Sequence, residues 1–454
     1  MKRILATPMI LGAATLLLWA QPAAAQSVLR DAETEALFAD MAAPIVTAAG
    51  LSTRNVRVVL INDDSVNAFV AGGQTVYVHS GTLQAADTIN EVQGVVAHEI
   101  GHITGGHVPL GDRMMKAPMG ITVLSMVLGL AAIAAGSGEA GAGIMAAGQQ
   151  AAQGSYLSFS RTQESSADAA GASFLNAAGI TGKGYLSFFK KLQQLEYRYG
   201  ITRKVGFMLD HPVSGDRIAN LTDTLTASPA WNKPSDPALE ERFRRVKAKL
   251  KGYVQTTDMT LQQYPDSDQS LYAHYARAYA YHKAGYPDKA DAEARALVKA
   301  EPANPYFQEV EGQILLESGK PREALAPLRI ANRDSGQNPL IATTLGHALI
   351  ATEDKANYAE AIKVLRVAVA RDDDNPVAWV QLGTAYEASG DTARAALATA
   401  ERASMTGDSR TAAQSAAYAL ANIPPNTVDW IRAQDIAMTA RNDIADNPKK
   451  YKKR

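Results

Sequence analysis

The residues of this 454-residue chain with the clearest chemical potential are His98, Glu99 and His102, in the pattern His98-Glu-Ile-Gly-His102. Apolar residues recur in the preceding segment 92–97, which predicts that the pattern lies on an α-helix. Four residues apart on a helix, the two imidazoles fall on one face and can bind the same Zn²⁺ ion. Glu99 could then accept a proton from a zinc-bound water, whose pKa the metal lowers to about 7. The pattern therefore predicts a zinc-dependent hydrolase, and the alternative is a pair of core histidines on a buried helix.

A catalytic zinc ion needs a third protein ligand, with water in the fourth position. His107 is the nearest residue of a suitable type, but it follows His98 by nine residues where the metzincin pattern needs ten. Glu164 and Asp168 form an i,i+4 pair on one face of a predicted helix further along the chain. Glu164 could bind the zinc, while Asp168 accepts the second N–H of a ligand histidine and fixes its tautomer. We favour Glu164 as the third ligand and keep His107 as the alternative.

The segment before the motif predicts the elements that must position it. Amphipathic spacing predicts a helix over residues 32–49. Runs of β-branched and aromatic residues predict three short strands, at 56–61, 66–70 and 75–78. This small sheet leads directly into the motif helix, and its edge strand could hold an extended polypeptide by backbone pairing.

Together with the motif, several other residues resemble those of the gluzincin metalloproteases related to the heat-shock protease HtpX. The residues that carry the resemblance, besides the two-histidine motif, are Glu164-x-x-x-Asp168, Asn67-Ala68-Phe69, Gly72-Gly73, His211-Pro212 and Arg217. The resemblance implies an α+β, mainly helical metalloprotease domain with a small β-sheet. It also implies one zinc ion per chain, bound by His98, His102 and Glu164, with Glu99 as general base.

The resemblance further implies that His211 lies on a loop over the metal. There it would stabilise the oxyanion, or occupy the open zinc position and block it. Arg217 would anchor that loop. Without the resemblance, His211 before Pro212 is a turn residue and Arg217 is surface charge.

The N-terminus has the layout of a secretory signal peptide at residues 1–25. Lys2 and Arg3 precede an apolar run at 10–19, and Ala23-Ala24-Ala25 forms a small-residue cleavage site. About ten apolar residues are too few to span about 30 Å of hydrocarbon, which disfavours an uncleaved anchor. The chain has no Cys, which excludes disulfides and a lipid-modified N-terminal Cys. We therefore predict a periplasmic protein.

Charge composition excludes one class of partner. The chain has 45 Lys and Arg against 46 Asp and Glu, so it has no overall positive field that would attract nucleic acid. No nucleic-acid partner is predicted.

The stretch between the motif and Glu164 is unusually apolar. Residues 121–135 are largely apolar, and a run rich in Gly and Ala continues to Gln149. Three interpretations compete: a core helix, a helix pair that rests on a membrane or plugs the site, and a true membrane span, for which fifteen residues are short. The resemblance favours the second interpretation, with peripheral membrane contact through residues 117–149.

The C-terminal half repeats itself. The alanines that open the second helix of each predicted unit follow one another at spacings of 34, 37 and 34 residues, and are Ala290, Ala324, Ala361 and Ala395. A period of 34 is that of the tetratricopeptide repeat, and Trp379-x-x-Leu-Gly-x-x-Tyr386 matches its first-helix pattern. We predict about four repeats that stack into an all-α solenoid with a concave binding face.

These parts predict a domain order along the chain. The predicted units are the signal peptide, the zinc metalloprotease domain at 26–225, a linker with a charged helix at 226–270, repeats at 271–404, and C-terminal helices with a basic tail at 405–454.

The leading functional hypothesis is a periplasmic zinc endopeptidase. As the resemblance implies, it would cleave misfolded or stalled outer-membrane β-barrel proteins and assist their assembly through its repeats, with the barrel assembly machinery as a partner. The alternative is a chaperone or scaffold in which the repeats carry the function and the protease is largely latent. The intact set of His98, Glu99, His102 and Glu164 argues against an inactive enzyme, whereas His211 keeps latency open.

Overall fold

The computed structural model describes residues 28–107, 119, 121–122, 124–128, 138–199, 211 and 214–451. The predicted signal peptide at 1–25 lies outside these ranges, as do the last three residues of the basic tail.

A four-stranded sheet opens the described chain. Its strands are β1 (Val28–Leu29), β2 (Arg57–Ile61), β3 (Ala68–Ala71) and β4 (Thr75–His79). The strand order is β1-β2-β4-β3, in which β2 and β4 run parallel and the other two pairs run antiparallel. The three predicted strands are present with boundaries shifted by one or two residues. The two-residue strand β1 is too short to show an alternating pattern in sequence.

Besides residues 121–122 and 124–128, which are also helical, six helices follow or flank the sheet in the N-terminal part of the described chain. They are α1 (Ala32–Ala48), α2 (Ser80–Ala85), α3 (Ile89–Thr104), α4 (Gly138–Ala177), α5 (Lys183–Tyr199) and α6 (Gly215–Thr226). The predicted helix at 32–49 is α1, which begins where the Asp31 carboxylate accepts a hydrogen bond from the Thr34 backbone N–H at 2.8 Å. The motif helix is α3, and the Thr88 hydroxyl caps it in the same way.

The core of this part lies between the sheet and helices α1, α3 and α5. Its large members are fully buried, among them Leu37 and Phe38 of α1, Val95 of α3, and Phe188 and Phe189 of α5. Helix α3 is therefore fixed on several sides, which holds the histidine motif in place.

Two glycines let other helices approach α3 closely. A Cβ atom at Gly101 would lie 2.5 Å from the backbone oxygen of Ala167 on α4. A Cβ atom at Gly94 would lie 2.4 Å from the Cα of Tyr185 on α5. Since real side chains do not approach this closely, glycine at these positions permits both crossings, and the crossings bring α4 and α5 beside the histidines.

The C-terminal part of the described chain is entirely helical. Two helices, α7 (Pro237–Val254) and α8 (Thr257–Gln263), connect it to the sheet-containing part. Five helix pairs follow: α9 (Leu271–Lys283) with α10 (Pro287–Ala300), α11 (Pro305–Glu317) with α12 (Pro321–Asp334), α13 (Pro339–Ala351) with α14 (Lys355–Arg371), α15 (Pro376–Ser389) with α16 (Thr392–Met405), and α17 (Ser409–Asn422) with α18 (Val428–Asp446). A short helix, α19 (Pro448–Tyr451), ends the described chain.

The mainly helical α+β fold with a repetitive helical region is thus confirmed. The fifth pair accounts for most of the predicted C-terminal helices. The assignment of the pairs as tetratricopeptide repeats and the predicted domain boundaries stay predictions.

The N-terminus of α1 packs onto the helix pairs. Ala32 is fully buried against Ala331 of α12 and Ile341 of α13. Arg30 bonds the Asp372 carboxylate at 3.0 Å, at the end of α14. The start of the sheet-containing part is therefore held by side chains from two successive helix pairs, the second and the third.

The unusually apolar stretch is described only in part, and residues 121–122 and 124–128 are helical. Leu124, Val127 and Leu128 are exposed, each by half or more of its surface. For these described residues the core-helix interpretation is wrong. Within the described ranges, no helix has both the length and the apolar character that crossing a bilayer requires.

Candidate metal centre

The two histidines of the motif and two residues from other elements converge on one point. His98 and His102 come from α3, Glu164 from α4, and His211 from the chain just before α6. All four are buried. The two histidine Nε2 atoms lie 3.1 Å apart, and the Glu164 carboxylate oxygens lie 3.3 Å from His98 Nε2 and 3.4 Å from His102 Nε2.

These distances fit a tetrahedral metal site. Zinc bonds imidazole nitrogen and carboxylate oxygen at about 2.0–2.2 Å, so neighbouring donors of a regular tetrahedron lie about 3.3–3.6 Å apart. The donors of His98, His102 and Glu164 have nearly this spacing. His211 Nδ1 extends the same set, at 3.3 Å from His98 Nε2 and 3.1 Å from Glu164 Oε1. Two or three imidazoles with one carboxylate are ordinary zinc ligands.

A second set of side chains holds the donors from behind. The His98 Nδ1 atom lies 3.0 Å from Asp168 Oδ1 and 3.1 Å from the Tyr185 hydroxyl. The Tyr185 hydroxyl also donates to Asp168 at 2.9 Å. With its proton on Nδ1, His98 presents a lone pair at Nε2 toward the cluster, as a metal ligand must.

Arg217 ties together the two carboxylates of α4. It donates from Nε to Asp168 Oδ2 at 2.6 Å and from Nη2 to Asp168 Oδ1 at 2.8 Å. Its Nη1 atom lies 3.0 Å from Glu164 Oε2. Arg217 is 5% exposed, so the surface-charge interpretation is wrong. Because Arg217 lies in the first turn of α6, these bonds fasten that helix to α4 close behind His211.

The charges of the cluster are strongly coupled. Burial alone would raise the pKa of Asp168, but hydrogen bonds from Arg217 and His98 outweigh it and lower that pKa to about 2. Burial is likewise outweighed at Glu164, where His211 and His98 hold the pKa well below its usual range. Both carboxylates are therefore ionised at neutral pH and attract a cation.

The histidines respond to the same environment in opposite directions. Burial lowers the pKa of His98, but its bonds with Asp168 and Glu164 more than compensate and raise it. Burial and the neighbouring His98 lower the pKa of His102. In the protein alone, His98 thus favours its positively charged form and His102 its neutral form. A metal ion bound at the same place would supply the positive charge instead.

Glu99 is fully buried on α3, and its Oε1 atom lies 3.5 Å from His211 Nε2. His211 therefore faces the metal donors with Nδ1 and Glu99 with Nε2. The imidazole ring of His211 therefore lies between Glu99, the predicted general base, and the other donors of the cluster.

His107 is not a member of the four-residue donor cluster. It is half-buried just beyond α3, where its Nδ1 atom lies 2.8 Å from Nδ1 of His102. It therefore contacts the outer side of a donor histidine.

The structure brings together His98, Glu99, His102, Glu164, Asp168, His211 and Arg217, which are all the site residues that the sequence predicted. Sequence reasoning missed Tyr185, because a tyrosine at the start of an apolar helix gives no sign that its hydroxyl meets a carboxylate from another helix.

In this fold, a small sheet supports a helix with a two-histidine motif, and a second helix contributes an acidic donor. This is the arrangement of a zinc metallopeptidase domain. Comparisons with known proteins narrow that class. Residues 29–225 match the profile of peptidase family M48. This part of the chain is therefore similar to peptidase family M48, whose members are zinc metalloproteases.

Three relatives show how far the similarity extends. The Beta-barrel assembly-enhancing protease of Escherichia coli (strain K12) is 28% identical over 300 residues, which cover 64% of this chain and 60% of the relative. The protein of the same name from Yersinia pestis is 25% identical over 302 residues, with the same coverage. Metalloprotease LoiP of Escherichia coli (strain K12) is 31% identical over 176 residues, which cover 38% of this chain and 63% of the relative. The chain thus spans less than two thirds of each relative's length.

Proposed function

We propose that this protein is a zinc-dependent endopeptidase whose active site is the cluster around His98. The observation that carries the proposal is the convergence of His98 Nε2, His102 Nε2 and a Glu164 oxygen at the spacing of tetrahedral zinc ligands. Glu99 lies beside this cluster on the same helix.

Each residue has a role that follows from its position. Zinc, when bound, supplies a Lewis acid that activates water and polarises a carbonyl. Glu99 accepts and returns a proton at its carboxylate as general base. Asp168 and Tyr185 orient His98, and Arg217 fixes the positions of the Asp168 and Glu164 carboxylates. Strand β3 ends the described sheet, so its outer edge can pair with the backbone of an extended polypeptide.

Replacement of Glu99 by Gln tests this mechanism. The amide keeps the shape of the side chain but cannot accept the proton, so cleavage of an unfolded protein such as carboxymethylated casein should fall about 10²–10⁴-fold. Zinc content, measured by elemental analysis, should stay near one ion per chain. The control is Glu387→Gln, the same substitution at an exposed position of α15. Normal turnover by the Glu99→Gln protein would remove Glu99 from the mechanism.

His211 adds a restraint to the proposed enzyme. Its Nδ1 atom lies with the donors of the other three residues, so it can take the fourth ligand position in place of the catalytic water. A substrate carbonyl or a partner that moves His211 could compete for the same position. Such a ligand would keep the resting peptidase latent but intact.

The sign of one rate change separates this role from oxyanion stabilisation. If His211 restrains the enzyme, His211→Ala should raise basal cleavage, including self-cleavage, provided that Glu99 is intact. If it stabilises the oxyanion, the same change should lower kcat about 10²–10³-fold. The control is His347→Ala, at an exposed position of α13. An unchanged rate would contradict both roles.

For the substrates, we propose misfolded or stalled outer-membrane β-barrel proteins in the periplasm, whose assembly the helix pairs assist together with the barrel assembly machinery. The support is the similarity to relatives named beta-barrel assembly-enhancing proteases, over 64% of this chain. A chaperone or scaffold with a largely latent protease stays the second candidate, favoured by the position of His211 among the donors.

One comparison in cells distinguishes the two candidates. Barrel protein levels in the outer membrane and the amount of degraded barrel protein are measured with wild-type and Glu99→Gln protein. Loss of degradation with full assembly would favour the scaffold. Loss of degradation with accumulation of stalled barrel proteins on the Glu99→Gln protein supports the endopeptidase.

We also propose that residues 117–149 make peripheral contact with a membrane, since Leu124, Val127 and Leu128 expose apolar surface. Flotation with lipid vesicles should recover the wild-type protein and much less of a Leu124→Ser, Val127→Ser variant. Equal recovery of the two would contradict this contact.

A further inference from the structure

The two donor histidines of α3 are supported from behind by different chemical groups. The outer nitrogen of His98 meets the Asp168 carboxylate, which is an ordinary partner for a metal-binding histidine. The outer nitrogen of His102 meets another imidazole, that of His107, at 2.8 Å. The two rings lie 4.9 Å apart between centroids and are tilted by 75°.

The distance between the two Nδ1 atoms determines which one donates. A neutral imidazole has one N–H and one lone pair. If His102 presents its Nε2 lone pair to a metal, its proton must be on Nδ1. That proton then points at His107 Nδ1, which must accept it, and His107 carries its own proton on Nε2.

Two glycines place His107 in this position. Helix α3 ends at Thr104, and Gly106 has a φ of +64°, which turns the chain back toward the last turn of the helix. A Cβ atom at Gly105 would lie 2.5 Å from His107 Nε2, so the absence of a side chain there leaves room for the ring. The Gly-Gly-His sequence after the helix thus builds the contact.

We propose that His107 is a positioning residue that fixes the tautomer and ring orientation of His102 by accepting its Nδ1–H. The identity of the metal rests on the proposed function above. His107 would act through His102 and would not touch the substrate.

The test compares His107→Asn with His107→Leu in the full-length protein, and measures zinc affinity by competition with a chelator. The Asn Oδ1 atom is bonded to Cγ, as Nδ1 is in histidine, so it can accept the same hydrogen bond. Leu branches at the same atom but offers no acceptor. We expect His107→Leu to weaken zinc binding about 10–100-fold, and His107→Asn to restore most of the affinity.

Controls separate this role from general damage and from failure of the proposed function. Circular dichroism checks that each variant is folded, and His347→Leu shows the effect of removing an exposed histidine. Wild-type affinity in the His107→Leu protein, or equal weakening in both variants, would overturn the proposal while the wild-type protein still binds zinc. Absence of zinc binding by the wild-type protein would instead overturn the proposed function.

Discussion

Among the charged side chains that the described part of the chain buries, one group surrounds His98 and another surrounds Lys249. The Lys249 cluster joins α7 to the start of α1, where the Lys249 ammonium bonds the Asp31 carboxylate and lies 3.8 Å from Glu33. Glu33 also accepts a hydrogen bond from the Tyr275 hydroxyl of α9 at 2.7 Å. This cluster therefore links the sheet-containing part to the first helix pair.

The two clusters balance their charges in different ways. Burial raises the pKa of Asp31, but Lys249 outweighs it and lowers that pKa, so one carboxylate neutralises one ammonium. At Glu33, burial raises the pKa by more than Lys249 lowers it, so the raised pKa favours the neutral form of Glu33. Around His98, by contrast, Glu164 and Asp168 are both ionised beside one guanidinium, and their pKa values are lowered.

This difference shows what distinguishes a metal site from a structural ion pair. Both clusters are buried and hydrogen-bonded. The Lys249 cluster carries its own cation. The His98 cluster has two ionised carboxylates for one guanidinium, so its remaining negative charge is balanced by a proton on the histidines or by a metal ion where their lone pairs converge. The second arrangement needs an added cation, and three experiments test that contrast.

The largest expected effect is the loss of zinc in a Glu164→Ala variant. The cluster would lose both a donor and the charge that attracts the ion, so zinc content should fall from about one ion per chain to near zero. The matched control is Glu33→Ala, which removes a buried carboxylate from the other cluster and should leave zinc content unchanged. Full zinc in the Glu164→Ala protein would transfer the third-ligand role to another member of the donor cluster, with His211 the next candidate.

A smaller effect is expected when the other cluster is broken by Lys249→Met. This change leaves Asp31 buried without its cation and should lower the free energy of unfolding by about 3–5 kcal/mol, as judged by urea titration. Zinc content of the folded protein should stay near one ion per chain. A Lys249→Met, Asp31→Asn variant should recover part of the stability. If the Lys249→Met protein lost its zinc but kept its full stability, the Lys249 cluster would support the metal site and would not be a structural ion pair.

The smallest effect is expected at Arg217, the guanidinium of the metal cluster. Arg217→Met should weaken zinc binding about 10–100-fold, since Asp168 and Glu164 lose the group that orients them. Arg217→Lys should restore only part of the affinity, because one ammonium cannot reproduce the bidentate contact with Asp168 and reach Glu164 as well. Chelator competition measures both variants. Equal affinities in the wild-type and Arg217→Met proteins would limit Arg217 to anchoring α6.

Features that depend on neighbours along the chain were predictable from sequence. The spacing of His98 and His102 places both rings on one helix face, because every helix has 3.6 residues per turn. The same reasoning paired Glu164 with Asp168. The β-branched runs predicted three strands, and the alanine period predicted repeated helical units in the C-terminal half.

Contacts between distant elements were decided only by the tertiary structure. Sequence spacing could not show that α4 crosses α3 closely enough at Gly101 to bring Glu164 to the histidines. It also gave no sign that Tyr185 bonds Asp168. Such contacts depend on how whole helices pack, and no local pattern records the angle or distance of a crossing.

The roles of individual side-chain atoms also depend on the tertiary structure. By itself, His107 was a poor match to a metal-ligand pattern and Arg217 resembled surface charge. In the folded chain, His107 meets the outer nitrogen of His102, and Arg217 is buried between two carboxylates. The sequence alone determined which chemical groups were available. Packing decided which nitrogen faces which neighbour, because a ring or guanidinium takes its role from the groups that surround it on every side.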